Sequence, residues 1–216
     1  MGDKMKKGSF NKNRDSILRL SMIALGIIAD AGLGFFASKL PLPLFLDTVG
    51  TLGVAASCGV LPGMITAVLS NLLSCVYDSE AVFFGVVNAL IAMYTTYAVS
   101  KRDLFRLKNA IRHILIISAI SVTAGSIIQW GLIGEPHLPF ITEVIDAITK
   151  ATGLPRPMAF LGFNYAVNIV DKTITLSLAL LWIHYIPVSV HKRIYDGGWR
   201  QRPLTAEEKR MIPSDG

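Results

Sequence analysis

Long apolar stretches dominate this chain, and clusters of basic residues divide them into groups. Of the 21 Lys and Arg residues, 17 fall into three blocks, at residues 4–19, 101–112 and 192–210. Lys and Arg that flank membrane segments favour the cytoplasmic side. If all three blocks lie on that side, an even number of spans must separate each block from the next. The pattern therefore predicts a polytopic membrane protein and restricts the number of its spans.

Six apolar segments are candidates for membrane helices. A transmembrane helix needs about 20 mainly apolar residues, and the alternating pattern of a membrane β-barrel does not appear in the sequence. We therefore predict an all-α bundle of six transmembrane helices with the N-terminus and the C-terminus in the cytoplasm. Pro62 and Gly63 are expected to form the turn between the second and third spans. The predicted spans cover residues 17–38, 44–60, 64–77, 81–99, 114–133 and 159–186.

The domain organisation follows from these spans. We expect a basic cytoplasmic N-terminus at residues 1–16, a membrane domain at residues 17–190 and a polar cytoplasmic tail at residues 191–216. The net charge of +6 is explained by a cytoplasmic membrane surface, because the basic residues flank apolar spans. We therefore expect a lipid bilayer and no nucleic acid among the partners.

Strongly polar side chains inside the predicted spans concentrate towards the outer membrane face. Such residues are costly in lipid and normally face a protein interior or a water-filled cavity. Their depth predicts a cavity that opens to the outside and is closed towards the cytoplasm. The candidate substrate-binding residues are Asp47, Thr51, Asn71, Asn88, Gln129, Trp130, Asn164, Asn168, Asp171 and Lys172.

The last span carries the most specific polar pattern. Asn168 and Asp171 lie on one helix face. Asp171 and Lys172 diverge by about 100° around a helix, so we expect each to find another partner, and Asp47 and Asp30 are candidates for Lys172. Two interpretations stand: a buried ion-pair network that holds helices together, or contacts from Asp171 or Lys172 to a polar ligand.

Three further features each allow two interpretations. The outer loop at residues 140–151 has apolar residues at helical spacing, which predicts a short helix that is either an interfacial spacer or a lid over a binding site. An apolar strip of Leu104, Leu107 and Ile111 among basic residues is expected to lie on anionic lipid or to dock a cytoplasmic partner. Trp130 fits an aromatic belt at the membrane interface or a stacking contact with a flat ligand.

The sequence lacks the motifs of several kinds of chemistry. It contains no GxxxxGKS or GxxxxGKT phosphate loop, so the chain is not expected to hydrolyse ATP itself. Its four His residues are scattered, with no HExxH and no cysteine cluster, so we predict no metal site and no cofactor. No Ser–His–Asp set can be assembled, so we predict no catalytic residues and no enzymatic activity.

Four short motifs resemble a known family. They are PLFLDTVGT at residues 43–51, GVLPG at residues 59–63, LSNL at residues 69–72 and VDKTI at residues 170–174. In their order and topology they resemble the substrate-binding (S) component of energy-coupling factor (ECF) transporters. The resemblance covers roughly residues 17–190.

The resemblance implies a six-helix bundle that captures a vitamin or related micronutrient from outside a bacterial plasma membrane. It also implies three partners, namely a membrane coupling subunit and two cytoplasmic ATPase subunits. In the family the coupling subunit docks on small residues of the first helices, where this chain has Ala24, Ala29 and Ala31 but no AxxxA pattern. The alternatives are a membrane ligand-sensing module and a stand-alone secondary transporter.

Overall fold

The structure, a computed structural model, describes residues 2–40, 44–134 and 139–186, and for residues 2–14 and 139–140 it describes the backbone alone. Within these ranges all regular secondary structure is helical, as predicted. The predicted tail at residues 191–216 lies outside the described residues. In chain order the helices are α1 (Gly2–Ser38), α2 (Val49–Cys58), α3 (Val60–Ser74), α4 (Ala81–Lys101), α5 (Leu107–Ile128) with a π-helical turn (Gln129–Ile133), α6 (Pro139–Thr152) and α7 (Arg156–Tyr185).

Four of these helical segments are long and apolar enough to cross a membrane. Many large apolar side chains on them are exposed on the outside of the bundle, where a water-soluble protein would carry polar groups. These helices indicate a membrane-embedded protein. The four segments are Asp15–Ser38, Ala81–Lys101, Leu107–Ile133 and Arg156–Tyr185.

The predicted second span is much shorter as a helix than its apolar sequence indicated. Helix α2 has 10 residues, which at 1.5 Å per residue gives about 15 Å, half the thickness of the hydrocarbon core. Every residue of α2 is buried, because α1, α3, α4 and α7 pack around it. Helix α2 is therefore an interior helix, and residues 44–48 before it form an irregular segment.

The turn between α2 and α3 lies at Gly59, so the prediction of a turn at Pro62 and Gly63 is wrong. Gly59 has a φ of 97°, a conformation that side-chain-bearing residues rarely adopt. Pro62 lies in the first turn of α3, where its missing N–H is tolerated. Gly63 instead allows close packing, since a Cβ there would lie 2.6 Å from the Cβ of Ala55.

Helices α1 and α2 cross in direct backbone contact, with a buried carboxylate beside the crossing. A Cβ on Gly50 would overlap the backbone of Gly26. The Asp30 carboxylate accepts hydrogen bonds from the Gly50 amide at 2.6 Å, the Thr51 amide at 2.9 Å and the Thr51 hydroxyl at 2.6 Å. Asp30 therefore caps the N-terminus of α2 from the neighbouring helix, where amide donors lack helical partners.

The two ends of the bundle differ in charge, and we name them accordingly. The acidic end carries Asp78 and Glu80 between α3 and α4, and the basic end carries Lys101 and Arg102 at the end of α4. At the basic end the predicted apolar strip is only partly right. Leu104 is buried against the ends of α4 and α7, because its loop folds back onto the bundle.

Candidate functional site

A cavity of about 590 Å³ lies between the helices at the acidic end. Its wall reaches exposed residues at the rim, Ser38 and Asp78 among them. Small-molecule sites are usually clefts of about 300–1,000 Å³ with a mainly apolar lining and a few placed polar groups. The size and position of this cavity therefore suit a ligand-binding site.

Most of the candidate residues from the sequence line this cavity. They come from the segment before α2, from α3 and α4, from the π-helical turn and from α7, so the fold gathers positions that are far apart in the chain. The candidates in the lining are Asp47, Asn71, Asn88, Gln129, Asn164, Asn168 and Lys172.

The structure places the other three candidates, Thr51, Trp130 and Asp171, outside the residues that line this cavity. Thr51 is fully buried and its hydroxyl is bound to Asp30. The Trp130 ring packs edge-on against Phe160, with 6.0 Å between ring centroids, so it supports α6 and α7 from behind the cavity wall.

Asp171 holds the irregular segment before α2 in place. Its Oδ1 accepts hydrogen bonds from the amides of Phe45 and Leu46, both at 2.9 Å. Leu46 has a φ of 47°, a left-handed conformation that costs an ordinary residue about 1–2 kcal/mol. Successive amides in such a conformation form a concave anion site. Here the anion is the carboxylate of Asp171 itself, which is fully buried.

Lys172 joins Asp171 to the same segment, contrary to the expectation that these neighbours do not pair. Its Nζ lies 2.9 Å from Asp171 Oδ2 and 3.1 Å from the Thr48 hydroxyl. The Nζ is also 3.8 Å from Asp47 Oδ1. The long, flexible lysine side chain allows this, because its ammonium group can bend back towards the preceding residue. Lys172 is only 2% exposed.

Asp47 is the carboxylate of this network that faces the cavity. Its side chain is 27% exposed, whereas Asp171 and Asp30 are fully buried. One carboxylate oxygen accepts a hydrogen bond from the Asn88 amide at 3.0 Å. The other oxygen faces Lys172 at a distance longer than a hydrogen bond. Asp47 therefore keeps acceptor capacity for a bound molecule.

An apolar layer closes the cavity towards the basic end. Four helices contribute to this layer, and Val87 belongs both to it and to the cavity wall. Its side chains are nearly inaccessible to solvent, so a polar solute in the cavity meets a packed hydrocarbon floor. The buried members are Leu52, Val87, Ile91, Ile117 and Ala179.

One buried histidine lies outside the cavity lining, in the half of the bundle where few strongly polar groups were expected. His113 is 1% exposed and stacks on the Tyr94 ring at 5.2 Å. Its Nε2 lies 3.3 Å from the hydroxyl of Thr95. Packing against α4 accounts for its position.

Sequence reasoning missed the aromatic part of the cavity wall. Two of these residues precede predicted amides by four positions, Phe84 before Asn88 and Phe160 before Asn164. Residues four apart share a helix face, so this spacing is a signal that could have identified them. The aromatic lining residues are Phe45, Tyr77, Phe84, Phe160 and Phe163.

No protein family, no curated protein and no solved structure was found to match this chain. Across the described ranges, no group of three or more His, Cys, Asp or Glu side chains is arranged to hold a metal ion.

Proposed function

We propose that this protein is the substrate-capture subunit of an ECF-type transporter that takes up a vitamin or related micronutrient. It would be a multi-pass protein of a bacterial plasma membrane. The observation that carries the proposal is the cavity of about 590 Å³, lined by buried polar groups inside an otherwise apolar helical bundle.

The charge distribution supports an outward-facing cavity. Basic residues favour the cytoplasmic side of a membrane, so the basic end faces the cytoplasm and the acidic end faces outward. In this arrangement four long helices and the pair α2 and α3 give six passes, with both termini inside. The short pair is joined at Gly59; α2 is buried among its neighbours, whereas α3 exposes apolar side chains such as Leu61 and Leu72 on the outside of the bundle.

The closed floor favours capture over free conduction. A ligand that enters from the acidic end is separated from the basic end by the apolar layer, so release to the cytoplasm requires movement of the bundle. The sequence has no phosphate loop, so the energy would come from two partner ATPases through a membrane coupling subunit.

Co-expression with the coupling subunit and the ATPase pair of the same organism tests this function. We expect the four proteins to co-purify through a tag on this chain. In vesicles, the complex should drive uptake of the ligand only when ATP is present on the side of the membrane that carries the ATPases. Catalytically inactive ATPases are the control. Ligand binding by this chain without any association with the other subunits would contradict the proposal and favour a sensing module.

A further inference from the structure

The amide side chains of the cavity lining keep hydrogen-bonding capacity that the protein does not use. In four of them the nitrogen donates to a carbonyl or carboxylate oxygen of the protein. Since those oxygens can only accept, the orientation of each amide is fixed, and its own oxygen has no hydrogen-bond donor among the described residues. These bonds run from Asn71 to Ala67 O at 2.8 Å, Asn88 to Asp47 at 3.0 Å, Asn168 to Asn164 O at 3.0 Å and Gln129 to Gly134 O at 3.1 Å.

The fifth lining amide is different. The Oδ1 of Asn164 accepts a second hydrogen bond from Asn168 at 2.8 Å, so its nitrogen remains available as a donor. Each amide nitrogen carries two N–H groups, so Asn71, Asn88 and Gln129 also keep one donor each after these bonds. The amides can therefore both accept and donate, and the ionised carboxylate of Asp47 adds an oxygen that can only accept. A ligand with N–H groups would satisfy that oxygen, whereas a ligand with acceptors alone would leave it unpaired.

The formal charge of the lining is negative. Asp47, Asp78 and Glu80 are in the lining, and Lys172 is the cation among the described lining residues. The charge of Lys172 is already met by Asp171. Lys39 near the rim lies over the ring of Phe35, 5.1 Å from its centroid, and is outside the lining.

The aromatic wall suits the same class of ligand. Five aromatic side chains line the cavity, and their faces attract organic cations as well as flat rings. An anionic ligand would instead have to use Lys172, a residue that is 2% exposed and already donates two of its three N–H groups, to Asp171 and Thr48. The third N–H would hold an anion beside the Asp47 carboxylate, which lies 3.8 Å from the same Nζ and would repel it.

We infer that the cavity takes a ring-containing organic cation with N–H donors, such as a protonated amine or an aminated heterocycle, with Asp47 as its counter-ion. This inference rests on the proposed capture function and names the substrate class of the same site.

Thermal unfolding of the purified full-length chain in detergent, measured with matched panels of vitamin-sized ring amines and ring acids, tests the inference. Thiamine and pyridoxamine belong in the first panel, biotin and nicotinate in the second. We expect at least one amine to raise the Tm by about 5 °C or more at roughly 100-fold excess over its Kd. We expect no acid to do so.

Paired variants assign the effect to the cavity. Asp47→Asn keeps the size of the side chain and a carbonyl oxygen for Asn88, and should weaken binding of the stabilising amine at least about tenfold, the equivalent of about 1.4 kcal/mol. Glu143→Gln removes one negative charge from the exposed surface of α6, outside the lining, and should leave binding unchanged.

The outcomes separate this inference from the proposed function. Stabilisation by acids alone, or amine binding that survives Asp47→Asn, would overturn the cation assignment while leaving capture of a ligand intact. Stabilisation by neither panel would overturn the inference. Association with the ATPase pair is measured separately and does not depend on which panel binds.

Discussion

Two groups of buried polar side chains stand close together in this bundle and differ in how their hydrogen-bonding capacity is used. In the anchoring group, Asp30 and Asp171 bind backbone amides and neighbouring side chains of the segment around α2. In the lining group, Asp47 and four amides keep oxygens without donors from the described part of the protein. A buried polar residue in a membrane bundle therefore suggests a ligand contact only when such capacity remains.

The two groups depend on each other. Asp171 and Lys172 fix the segment that carries Asp47, and Asp30 fixes the helix that follows it. The anchoring group determines where the lining group points, so a change in either can reduce ligand binding. Stability measured without ligand distinguishes the two.

The largest effect should come from Asp171→Ala. The substitution leaves Lys172 buried without its nearest counter-charge and removes the acceptor of the Phe45 and Leu46 amides. Breaking a buried pair in this way costs about 3–5 kcal/mol, which corresponds to a fall in Tm on the order of 10 °C. Thermal unfolding in detergent measures it. A ligand-free Tm equal to that of wild type would place Asp171 outside the anchoring group.

The second effect concerns the crossing of α1 and α2. Gly50→Ala places a methyl group against the backbone of Gly26, and such overpacking typically costs about 1–3 kcal/mol. Gly32→Ala on α1 is the matched control, because its Cβ meets nothing within 4 Å. We expect Gly50→Ala to lower the Tm and Gly32→Ala to leave it equal or slightly higher. Equal values for the two variants would contradict the close crossing.

A smaller effect on stability is expected for Asp47→Asn. Lys172 keeps Asp171 and Thr48, and Asn88 keeps an oxygen acceptor, so the free energy of unfolding without ligand should change by less than about 1 kcal/mol. The same thermal assay measures this change. A loss as large as that of Asp171→Ala would assign Asp47 to the anchoring group.

The smallest effect is expected at the salt bridge between α6 and α7. Arg156 and Asp146 lie 3.4 Å apart with side chains 39% and 43% exposed, and exposed pairs contribute about 0–1 kcal/mol. Asp146→Asn should therefore shift the Tm by no more than about 4 °C. A larger fall would show that this pair holds α6 onto the bundle, where Ile145 already packs on Ala159 and Phe160.

The sequence predicts the four long apolar helices well, because apolar runs of about 20 residues are typical of helices long enough to cross a membrane. The outer-loop helix also follows from its apolar spacing. The length of α2 cannot be predicted from the sequence, because the segment PLFLD before it is as apolar as the residues of a membrane helix. Contacts with Asp30 and Asp171 decide where α2 begins. The turn at Gly59 was missed because Pro62 is tolerated in a first helical turn.

The site is only partly predictable for a related reason. The depth predicted for polar residues from the sequence identifies seven of the lining residues, but it does not tell which carboxylates already bind other groups of the protein. Asp47 and Asp171 cannot be distinguished in this respect from the sequence. The left-handed conformation of Leu46 directs two amides towards Asp171, and it could not be predicted because a glycine, the residue that usually adopts this conformation, is absent at that position. The pairing of Lys172 with Asp171 depends on side-chain reach, which helical periodicity does not describe.

The most direct test of the account is mass spectrometry of small molecules released from the purified wild-type chain and from Gly125→Leu. Gly125 lines the cavity, and a Cβ there meets only the Phe84 ring, at an ordinary 3.7 Å, so a larger side chain projects into free space. We expect the wild-type protein to release a ring-containing compound and Gly125→Leu to release none. The ligand-free Tm of the two proteins should be similar, which shows that the variant is folded. Equal amounts of that compound from both proteins, or none from either, would contradict the claim that this cavity captures a ligand.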